Sequence, residues 1–537
     1  QILIDSRPVF SALSGVYGLE QIPASMIERV EVMRGGGSAL FGSSAIAGTI
    51  NIITKEPLRN SGQLSHTITS LGGSSSFDNN TSLNASLVTD DHRAGLYIFG
   101  QNRYRSGYDY DGDGFTELPK LKNQTVGFRS YLKTSTYSKL TFEYHHMQEF
   151  RRGGDMLNRP PHEAHIAEQL QHSIDGGSLK FDYFSPDEKN RLSVFASAAN
   201  TDRDSYYGPG NDPLKAYGKT TDLTAMGGAQ YVHTFDKCFF MPSDLTAGLE
   251  YNRDRLKDNM WGYNRHTDQT VNIYSAFLQN EWKNDRWGIL IGGRLDKHNM
   301  VDNVIFSPRA NLRFNPTQNI NLRLSYSSGF RAPQAFDEDM HIENVGGTVA
   351  MIERAKDLKE EKSQSFSVSA DMYHRFGAFQ TNLLIEGFYT RLTDVFVLGK
   401  PYDRGDGILV KTRSNGPGAK VMGLTLEGKV AYLSILQIQA GLTLQRSRYD
   451  EPHKWHDDVP AKRTIFRTPN VYGYFTATYI PIKPLSIALS GTYTGSMFVQ
   501  RMDITAENAA MGDMPERKAE AVKTPKFLDL GVKLAYD

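Results

Sequence analysis

The sequence predicts an all-β membrane protein: a large transmembrane β-barrel preceded by a small mixed α/β domain. Segments of alternating apolar and polar residues recur from about residue 58 to the end of the chain. The connections between them are alternately short and long, as outer-membrane barrels require. Charged residues make up 22% and hydrophobic residues 39% of the chain. No stretch approaches the roughly 20 consecutive apolar residues of a membrane-spanning helix.

Composition excludes several classes of protein. The chain has 60 basic and 60 acidic residues, so no nucleic-acid partner is expected. The single cysteine, Cys238, cannot form an internal disulfide, a cysteine zinc site or a redox pair. We find no nucleophile motif, phosphate-binding loop or paired acid and base, so the protein is not expected to be an enzyme.

Residues 1–57 differ from the remainder in being compact and rich in glycine. A strand, a helical turn, a second strand, a tight turn and a third strand are predicted there, in this order: Ile2–Asp5, Pro23–Arg29, Val30–Met33, Arg34–Gly37 and Thr49–Thr54. The first residues already read as the middle of a domain, so this domain is expected to be truncated at its N-terminus.

Residues 58–537 are predicted to form the barrel. In Leu140–Tyr144 and Leu322–Tyr326 every second residue is apolar, so one face meets lipid and the other a wet lumen. A soluble β-propeller would show similar repeats every 40–50 residues or so, and none is visible. Long loops are expected at 103–121, 151–171, 202–221 and 332–361. Nine short turns are expected at 89–92, 134–137, 185–188, 236–244, 283–285, 315–318, 375–377, 433–435 and 480–483.

Two strands for each turn, with an opening and a closing strand, give about 20 strands in this chain. An open edge in lipid would leave backbone groups without hydrogen bonds, so the barrel must close. We therefore expect a 22-stranded barrel whose last strands lie beyond this sequence.

Two stretches near the start resemble a known family. Ile22-Pro-x-x-Met-Ile-Glu-Arg-Val-Glu-Val-Met-Arg-Gly35 and Ser38-Ala-Leu-Phe-Gly-Ser-Ser-Ala-Ile-Ala-Gly-Thr-Ile-Asn-Ile-Ile-Thr54 are similar to the second half of the plug of TonB-dependent transporters. The resemblance implies a plug inside the barrel, with residues 1–57 as its C-terminal half. It also implies a bacterial outer-membrane location, contact with outer-membrane lipid, and active import coupled to the TonB complex.

The resemblance extends to three charged residues of the plug. Glu28, Glu31 and Arg34 resemble family plug charges that form ion pairs with barrel arginines. Such pairs in a wet lumen would hold the plug yet release it under force. The alternative is that they only solubilise a small domain.

An acidic segment in the second outer loop predicts a calcium site. Asp109, Asp111, Asp113 and Glu117 place carboxylates around two glycines, as a calcium loop requires. The match to an EF-hand is incomplete because Lys120 stands where a bidentate glutamate would close the loop. Cobalamin transporters resemble this segment, with a calcium-ordered Asp-x-Asp-Gly-Phe loop. A merely solvated acidic loop is the alternative.

Two other constellations suggest ligand contacts. Gly329–Pro333, which contains Phe330 and Arg331, resembles a haem-receptor motif, and His341 could ligate iron. The downstream run 355–363 departs from the haem-receptor pattern, and His341 could equally be an ordinary loop residue. Tyr206 and Tyr207 are expected to offer an aromatic surface to a large planar ligand.

These patterns predict TonB-dependent import of a large scarce nutrient, with cobalamin or another corrinoid first. Haem and siderophore transport are the alternatives, and a passive porin or an adhesive barrel is the alternative from a different class. The plug-like sequence disfavours a porin, which has no need of such a domain. A surface lipoprotein that hands over the ligand is a further expected partner.

Overall fold

The fold was analysed in a computed structural model that describes residues 2–6, 22–34, 42, 45–46, 48–209, 216–340, 343–345, 348–405, 408–456, 458–504 and 517–537. Nearly all of these residues lie in strands or in the turns between them. Among the described residues, no helix is long and apolar enough to cross a membrane. The helical elements there are α1 (Asp337–Met340) and three single 3₁₀ turns at Ala24–Met26, Pro161–Glu163 and Trp261–Tyr263.

The plug segment forms a three-stranded sheet. Its strands are β1 (Ile2–Ile4), β2 (Ile27–Arg34) and β3 (Gly48–Thr54). The central strand β3 pairs parallel with β1 and antiparallel with β2. The predicted strands Val30–Met33 and Thr49–Thr54 are confirmed, as parts of β2 and β3. The predicted helical turn 23–29 is shorter than expected because the chain already extends into β2 at Ile27.

The second sheet is the barrel, in which neighbouring strands in the chain pair antiparallel. Its strands are β4 (Ser61–Ser70), β5 (Phe77–Val88), β6 (Ala94–Arg105), β7 (Lys120–Ser135), β8 (Ser138–Gly154), β9 (Ile166–Phe184), β10 (Asn190–Pro209), β11 (Tyr217–Cys238), β12 (Met241–Met260), β13 (Arg265–Lys283), β14 (Trp287–His298), β15 (Ile305–Thr317), β16 (Ile320–Arg331), β19 (Glu361–Phe376), β20 (Phe379–Thr393), β23 (Ala419–Tyr432), β24 (Leu436–His453), β25 (Lys462–Thr464), β26 (Val471–Ile482), β27 (Leu485–Thr494) and β30 (Phe527–Tyr536).

The remaining strands belong to the outer loops. One loop sheet contains β17 (Glu343–Val345), β18 (Thr348–Arg354), β21 (Phe396–Asp403) and β22 (Leu409–Asn415). A second, two-stranded sheet pairs β28 (Phe498–Ile504) with β29 (Arg517–Lys523). Both sheets project from the end of the barrel that carries the long connections.

The expected strand number is confirmed, since twenty of the described barrel strands are long and one, β25, has three residues. The 22-strand total is not tested by the described residues and stays a prediction. All nine predicted short turns separate paired strands. Several contain a residue in the left-handed region, including His92, Glu188 and Leu433. Two-residue hairpin loops favour this conformation because it matches the twist of the flanking strands.

Two predicted long loops are shorter than expected. Strands β9 to β13 have 19 to 22 residues, well beyond the 9–11 or so that cross a bilayer. Strand β8 therefore runs to Gly154 and β9 begins at Ile166, inside the predicted loop 151–171. Likewise β10 and β11 extend into the predicted loop 202–221. Their outer ends are polar on both faces, so alternation no longer marks them as strands.

The lumen and lipid faces follow the pleat. On β7, Leu121, Asn123 and Thr125 are buried and face inward, whereas Val126 and Leu132 are exposed toward lipid. Plug residues Ile4, Met26 and Ile52 form an apolar cluster with Tyr97 and Phe99 of the barrel wall. The plug half therefore packs against β6 and its neighbours.

Candidate functional site

An ionic centre joins the described part of the plug to the barrel. Arg129 on β7 points into the lumen and forms ion pairs with Asp5 of the plug and Glu143 of β8. Its second nitrogen lies 3.2 Å from Glu56, just after the plug sheet. Thr54 donates to both Asp5 oxygens, at 3.0 Å from its amide and 2.6 Å from its hydroxyl. Plug and wall thus share a charged, hydrogen-bonded joint, which we call the plug joint: Asp5, Thr54, Glu56, Arg129 and Glu143.

The plug joint lowers the pKa of its plug carboxylate, Asp5. Burial pushes the pKa of Asp5 upward, but the charge of Arg129 and the hydrogen bonds from Thr54 outweigh burial. The pKa of Asp5 therefore lies below its ordinary value, and this side chain is ionised at neutral pH. A second contact lies nearby, where the Tyr97 hydroxyl donates to the carbonyl of Ser25 at 2.6 Å.

Among the described side chains, the plug-to-barrel ion pair lies on Asp5 and not on Glu28 or Glu31. Glu31 is exposed and pairs at 2.8 Å with Arg29 of its own strand, and Asn51 donates to it at 3.3 Å. Glu28 is also exposed. Arg34 ends β2, and its side chain lies outside the described residues. Among the described residues, neither Glu28 nor Glu31 forms an ion pair with a barrel arginine.

The acidic loop between β6 and β7 brings its four predicted carboxylates together. Oxygen atoms of Asp109, Asp111, Asp113 and Glu117 all lie within 4.8 Å of one another. None of the four forms an ion pair with a basic side chain in the part of the chain that the structure describes. Four clustered anionic oxygens are the hard donor set that Ca²⁺ prefers. The residues present therefore fit a bound calcium ion.

Local backbone geometry explains how this loop is built. The amides of Gly112 and Gly114 donate to Asp109 at 2.7 and 2.9 Å. Both glycines have positive φ, +79° and +92°, which other residues adopt only at a cost. The amide of Phe115 donates to Asp113 at 2.8 Å. These turns point the carboxylates toward one another. The turns depend only on residues close in sequence.

The acidic loop is tied to the next outer loop. Its base is closed by a bridge between Tyr108 and Leu118. The amide of Thr116 donates to the carbonyl of Gly154 at 3.2 Å, and the amide of Gly154 donates back to the Thr116 hydroxyl at 3.2 Å. Gly154 is the last residue of β8, so the position of the acidic loop is coupled to the loop that follows β8.

The predicted aromatic ligand contacts are used in packing instead. Tyr206 and Tyr207 lie on β10, not in a loop, and are 0% and 3% exposed. They belong to a cluster that includes Leu170 and Met260 of neighbouring strands and Met351 of the loop sheet. An exposed aromatic platform at Tyr206 and Tyr207 was therefore a wrong prediction. The hydrogen-bonded strand continues past the membrane, and the loop sheet covers it.

Phe330 and Arg331 likewise pack against neighbouring residues. Phe330 is completely buried with Val301, Ile305 and Ala332. The Arg331 guanidinium lies 4.0 Å from the ring centroid of Phe336, a cation–π contact within the same loop. These two residues shape the base of the loop after β16 and do not face open solvent as a ligand surface. His341 lies outside the described residues.

Sequence reasoning missed the contacts between the outer loops and the wall at the barrel mouth. The loop sheet reaches β13, where Arg354 donates to the Gln269 side chain at 2.8 Å. Gln269 also accepts from the amide of Ala335 at 2.8 Å. Arg413 pairs with Asp339 at 2.9 Å, and both are buried. No local pattern marks these contacts, because each joins residues more than 60 positions apart.

The sequence matches family profiles along its whole length. A profile of TonB-dependent-receptor-like β-barrels matches residues 49–537, and a profile of TonB-dependent receptor plug domains matches residues 1–49. The chain belongs to the TonB-dependent receptor family. The outer membrane is the location of these barrels, and the lipid-facing bands of this TonB-dependent receptor suit it.

Curated relatives of this receptor include vitamin B12 transporters. BtuB of Vibrio vulnificus is 23% identical over 352 residues, covering 62% of this chain and 52% of the relative. BtuB of Photobacterium profundum is 25% identical over 388 residues, covering 70% of this chain and 56% of the relative. The chain thus spans just over half the length of the curated relatives it matches.

Solved structures share the fold of this receptor. The siderophore receptor PirA of Acinetobacter baumannii has a TM-score of 0.79 at 17% identity, covering 100% of this chain and 84% of that chain. A variant of the ferric enterobactin receptor PfeA of Pseudomonas aeruginosa has a TM-score of 0.77 at 17% identity, covering 100% and 82%. At this identity the likeness concerns the fold alone.

Proposed function

We propose that this receptor imports a large, scarce nutrient across the outer membrane, and that the nutrient is a corrinoid such as cobalamin. The observation that carries the corrinoid proposal is the acidic loop, where four carboxylates converge without a basic partner among the described residues. Similarity to vitamin B12 transporters supports the same choice. A bound calcium ion would hold the loop in one conformation at the barrel mouth.

The plug joint supports a transport mechanism in which the plug moves. Arg129 carries most of the polar contact between the described plug residues and the wall. A joint built of ion pairs beside a wet lumen can be released by force without unfolding the plug, because water replaces the lost partners. The TonB complex is the partner that would supply this force. A surface lipoprotein is a further partner that we expect at the outer loops.

The contacts between the outer loops and the wall at the barrel mouth mark where a ligand would enter. Arg354 of the loop sheet and the amide of Ala335 both donate to the Gln269 side chain on β13. We infer that a large ligand displaces these contacts on its way to the plug. The ordered acidic loop lies at the rim of the same mouth, where it would contact such a ligand.

Binding of cyanocobalamin, haemin and a ferric siderophore to the full-length protein tests this proposal. We expect submicromolar cyanocobalamin binding with calcium present, weakened at least about tenfold by a chelator or by Asp111→Ala. The matched control is Asp90→Ala, an exposed carboxylate in a short turn at the opposite end of the barrel. Binding of haemin or the siderophore without cyanocobalamin would contradict the corrinoid assignment and make iron the cargo. Cyanocobalamin binding that does not depend on calcium would show that the acidic loop has no part in binding the ligand.

A further inference from the structure

A groove opens on the lipid-facing side of the barrel, near the outer ends of β15, β16, β19 and β20. Its volume is about 680 Å³, and its lining includes Phe306, Tyr326, Lys362 and Arg391. The pleat fixes the side on which it opens, since Tyr326 pairs in register with Phe366 and both rings face outward at 4.8 Å. The groove therefore opens toward the outer surface of the wall, and inward-facing Ile305, Ser307 and Ser363 form part of its floor.

A row of basic residues borders this groove. In the register of β20, β23 and β24, Arg391 lies opposite Lys420, and Lys420 lies opposite Arg448. Directly opposite residues have Cβ atoms about 4.5–5.5 Å apart, and like charges there are destabilising. Arg446 lies one outward position below Arg448, and Lys362 stands at the groove itself. We call Lys362, Arg391, Lys420, Arg446 and Arg448 the basic row.

The described carboxylates neutralise only part of this charge. Asp450 lies 3.8 Å from Arg391 and 3.5 Å from Lys420. Glu360 lies 2.9 Å from Lys362. Arg446 and Arg448 are exposed and have no acidic partner within ion-pair distance in the described ranges. Five cations less two carboxylates leave three positive charges at one place on the wall, so an anion with more than one charge would stabilise it.

The position of the basic row along the strands identifies the layer of the membrane that it contacts. Directly below it, Phe366, Tyr389 and Met422 occupy the same outward positions on neighbouring strands. The next outward residues, Val368, Leu424 and Leu444, are exposed aliphatic side chains. Two residues along a strand span about 7 Å. The cations therefore lie just above the hydrocarbon layer, at the level of lipid headgroups, and on the outer side because the long loops follow.

We propose that the basic row and its groove bind the phosphorylated headgroup of an outer-leaflet glycolipid, a lipopolysaccharide. The two phosphates of its disaccharide headgroup would balance the positive charge of the basic row that Asp450 and Glu360 leave uncompensated. Arginine and lysine at a membrane surface favour such phosphates, and arginine binds them in a bidentate way. The groove against Phe306 and Tyr326 takes the adjoining sugar or acyl segment. This site stands independently of which nutrient the receptor carries.

Native mass spectrometry of the purified full-length protein tests this assignment, with bisphosphorylated lipid A, dephosphorylated lipid A and phosphatidylglycerol as probes. We expect lipid A to be retained best. Removal of three charges in Arg391→Gln, Lys420→Gln and Arg448→Gln together should weaken retention on the order of a hundredfold, at roughly fivefold for each charge. The control is Lys133→Gln with Lys483→Gln, which removes two exposed lysine charges at the opposite rim.

The folded state of each variant is checked by its heat-dependent migration in gels. The charge-conserving pair Arg391→Lys and Arg448→Lys should keep lipid A, which separates loss of charge from loss of fold. Equal retention of lipid A by the glutamine variant would overturn the proposal. So would equal retention of phosphatidylglycerol by the unsubstituted protein, because the site would then be a general anionic surface.

Discussion

Arg129 of barrel strand β7 forms an ion pair with Asp5 of the plug, although 124 positions separate them in the sequence. Both side chains are largely buried, at 13% and 11% exposed. The same guanidinium meets Glu143 of the wall and Glu56 after the plug sheet. Among the described residues, Arg129 therefore makes most of the ionic contacts between the plug and this wall, and Lys139 adds one to Glu56.

Substitution of Arg129 should loosen the plug. Arg129→Ala leaves Asp5 and Glu143 buried without their cation, and breaking such a pair costs about 3 kcal/mol or more. We expect raised single-channel conductance in planar bilayers and greater uptake of large antibiotics by cells. The matched control is Arg103→Ala, which removes a wall arginine paired at 2.6 Å with Asp78 of the neighbouring strand. Equal conductance of the two variants would mean that Arg129 does not hold the plug.

The same joint predicts a pH dependence. The pKa of Asp5 in the folded protein lies below its ordinary value of 3.8. Its contribution to stability is therefore fully present above that value and is lost as pH falls through the lower, folded-state pKa. We expect conductance to stay constant from neutral pH down to about pH 4 and to rise only below it. A rise that begins near pH 6 would point to a histidine instead of Asp5.

Backbone strain predicts the effect of a glycine substitution in the acidic loop. Gly112 has φ of +79° with open space around its Cβ position, so Gly112→Ala adds strain without a clash. The left-handed conformation costs an alanine about 1 kcal/mol, so calcium affinity in calorimetry should fall roughly fivefold. The control is Gly62→Ala, where the Cβ position is also open and φ is not in the left-handed region. An unchanged affinity would show that the loop does not need this turn to bind calcium.

Burial predicts that Tyr206 stabilises the outer loops. Tyr206→Ala removes a fully buried ring that packs edge-on against Tyr217 at 4.8 Å, which costs about 3 kcal/mol or more. We expect faster hydrogen exchange in the ends of β9 to β12 and in the loop sheet. Tyr110→Ala removes a ring that is 76% exposed and serves as the control. Loss of ligand binding with unchanged hydrogen exchange would instead restore Tyr206 as a ligand contact.

The parts of this molecule that depend on local sequence could be predicted. The nine short turns follow from residues that interrupt alternation, and the acidic loop follows from Asp109 to Glu117, whose hydrogen bonds join near neighbours. Partners far apart in sequence could not be predicted. Asp5 meets Arg129, and Arg354 meets Gln269, only because the register and the plug position bring them together.

The outer ends of the strands were hidden for a different reason. Alternation marks a strand only where one face meets lipid, and above the membrane both faces of β10 carry polar residues such as Asp202 and Arg203. Tyr206 and Tyr207 therefore read as loop residues although they lie in a hydrogen-bonded ladder. Met351 of the loop sheet, which no local pattern joins to them, is one of the residues that bury them.

The paired hydrogen bonds between Thr116 and Gly154 have a thermodynamic consequence. An equilibrium shared by two neighbouring segments obeys reciprocity: if occupancy of the first favours one arrangement of the second, that arrangement raises affinity at the first by the same factor. A cargo or outside protein that fixes the segment after Gly154 in the arrangement that cation binding favours would therefore tighten cation binding at Asp109 to Glu117. The receptor's apparent calcium affinity would then depend on whether a ligand or partner occupies the outer loops.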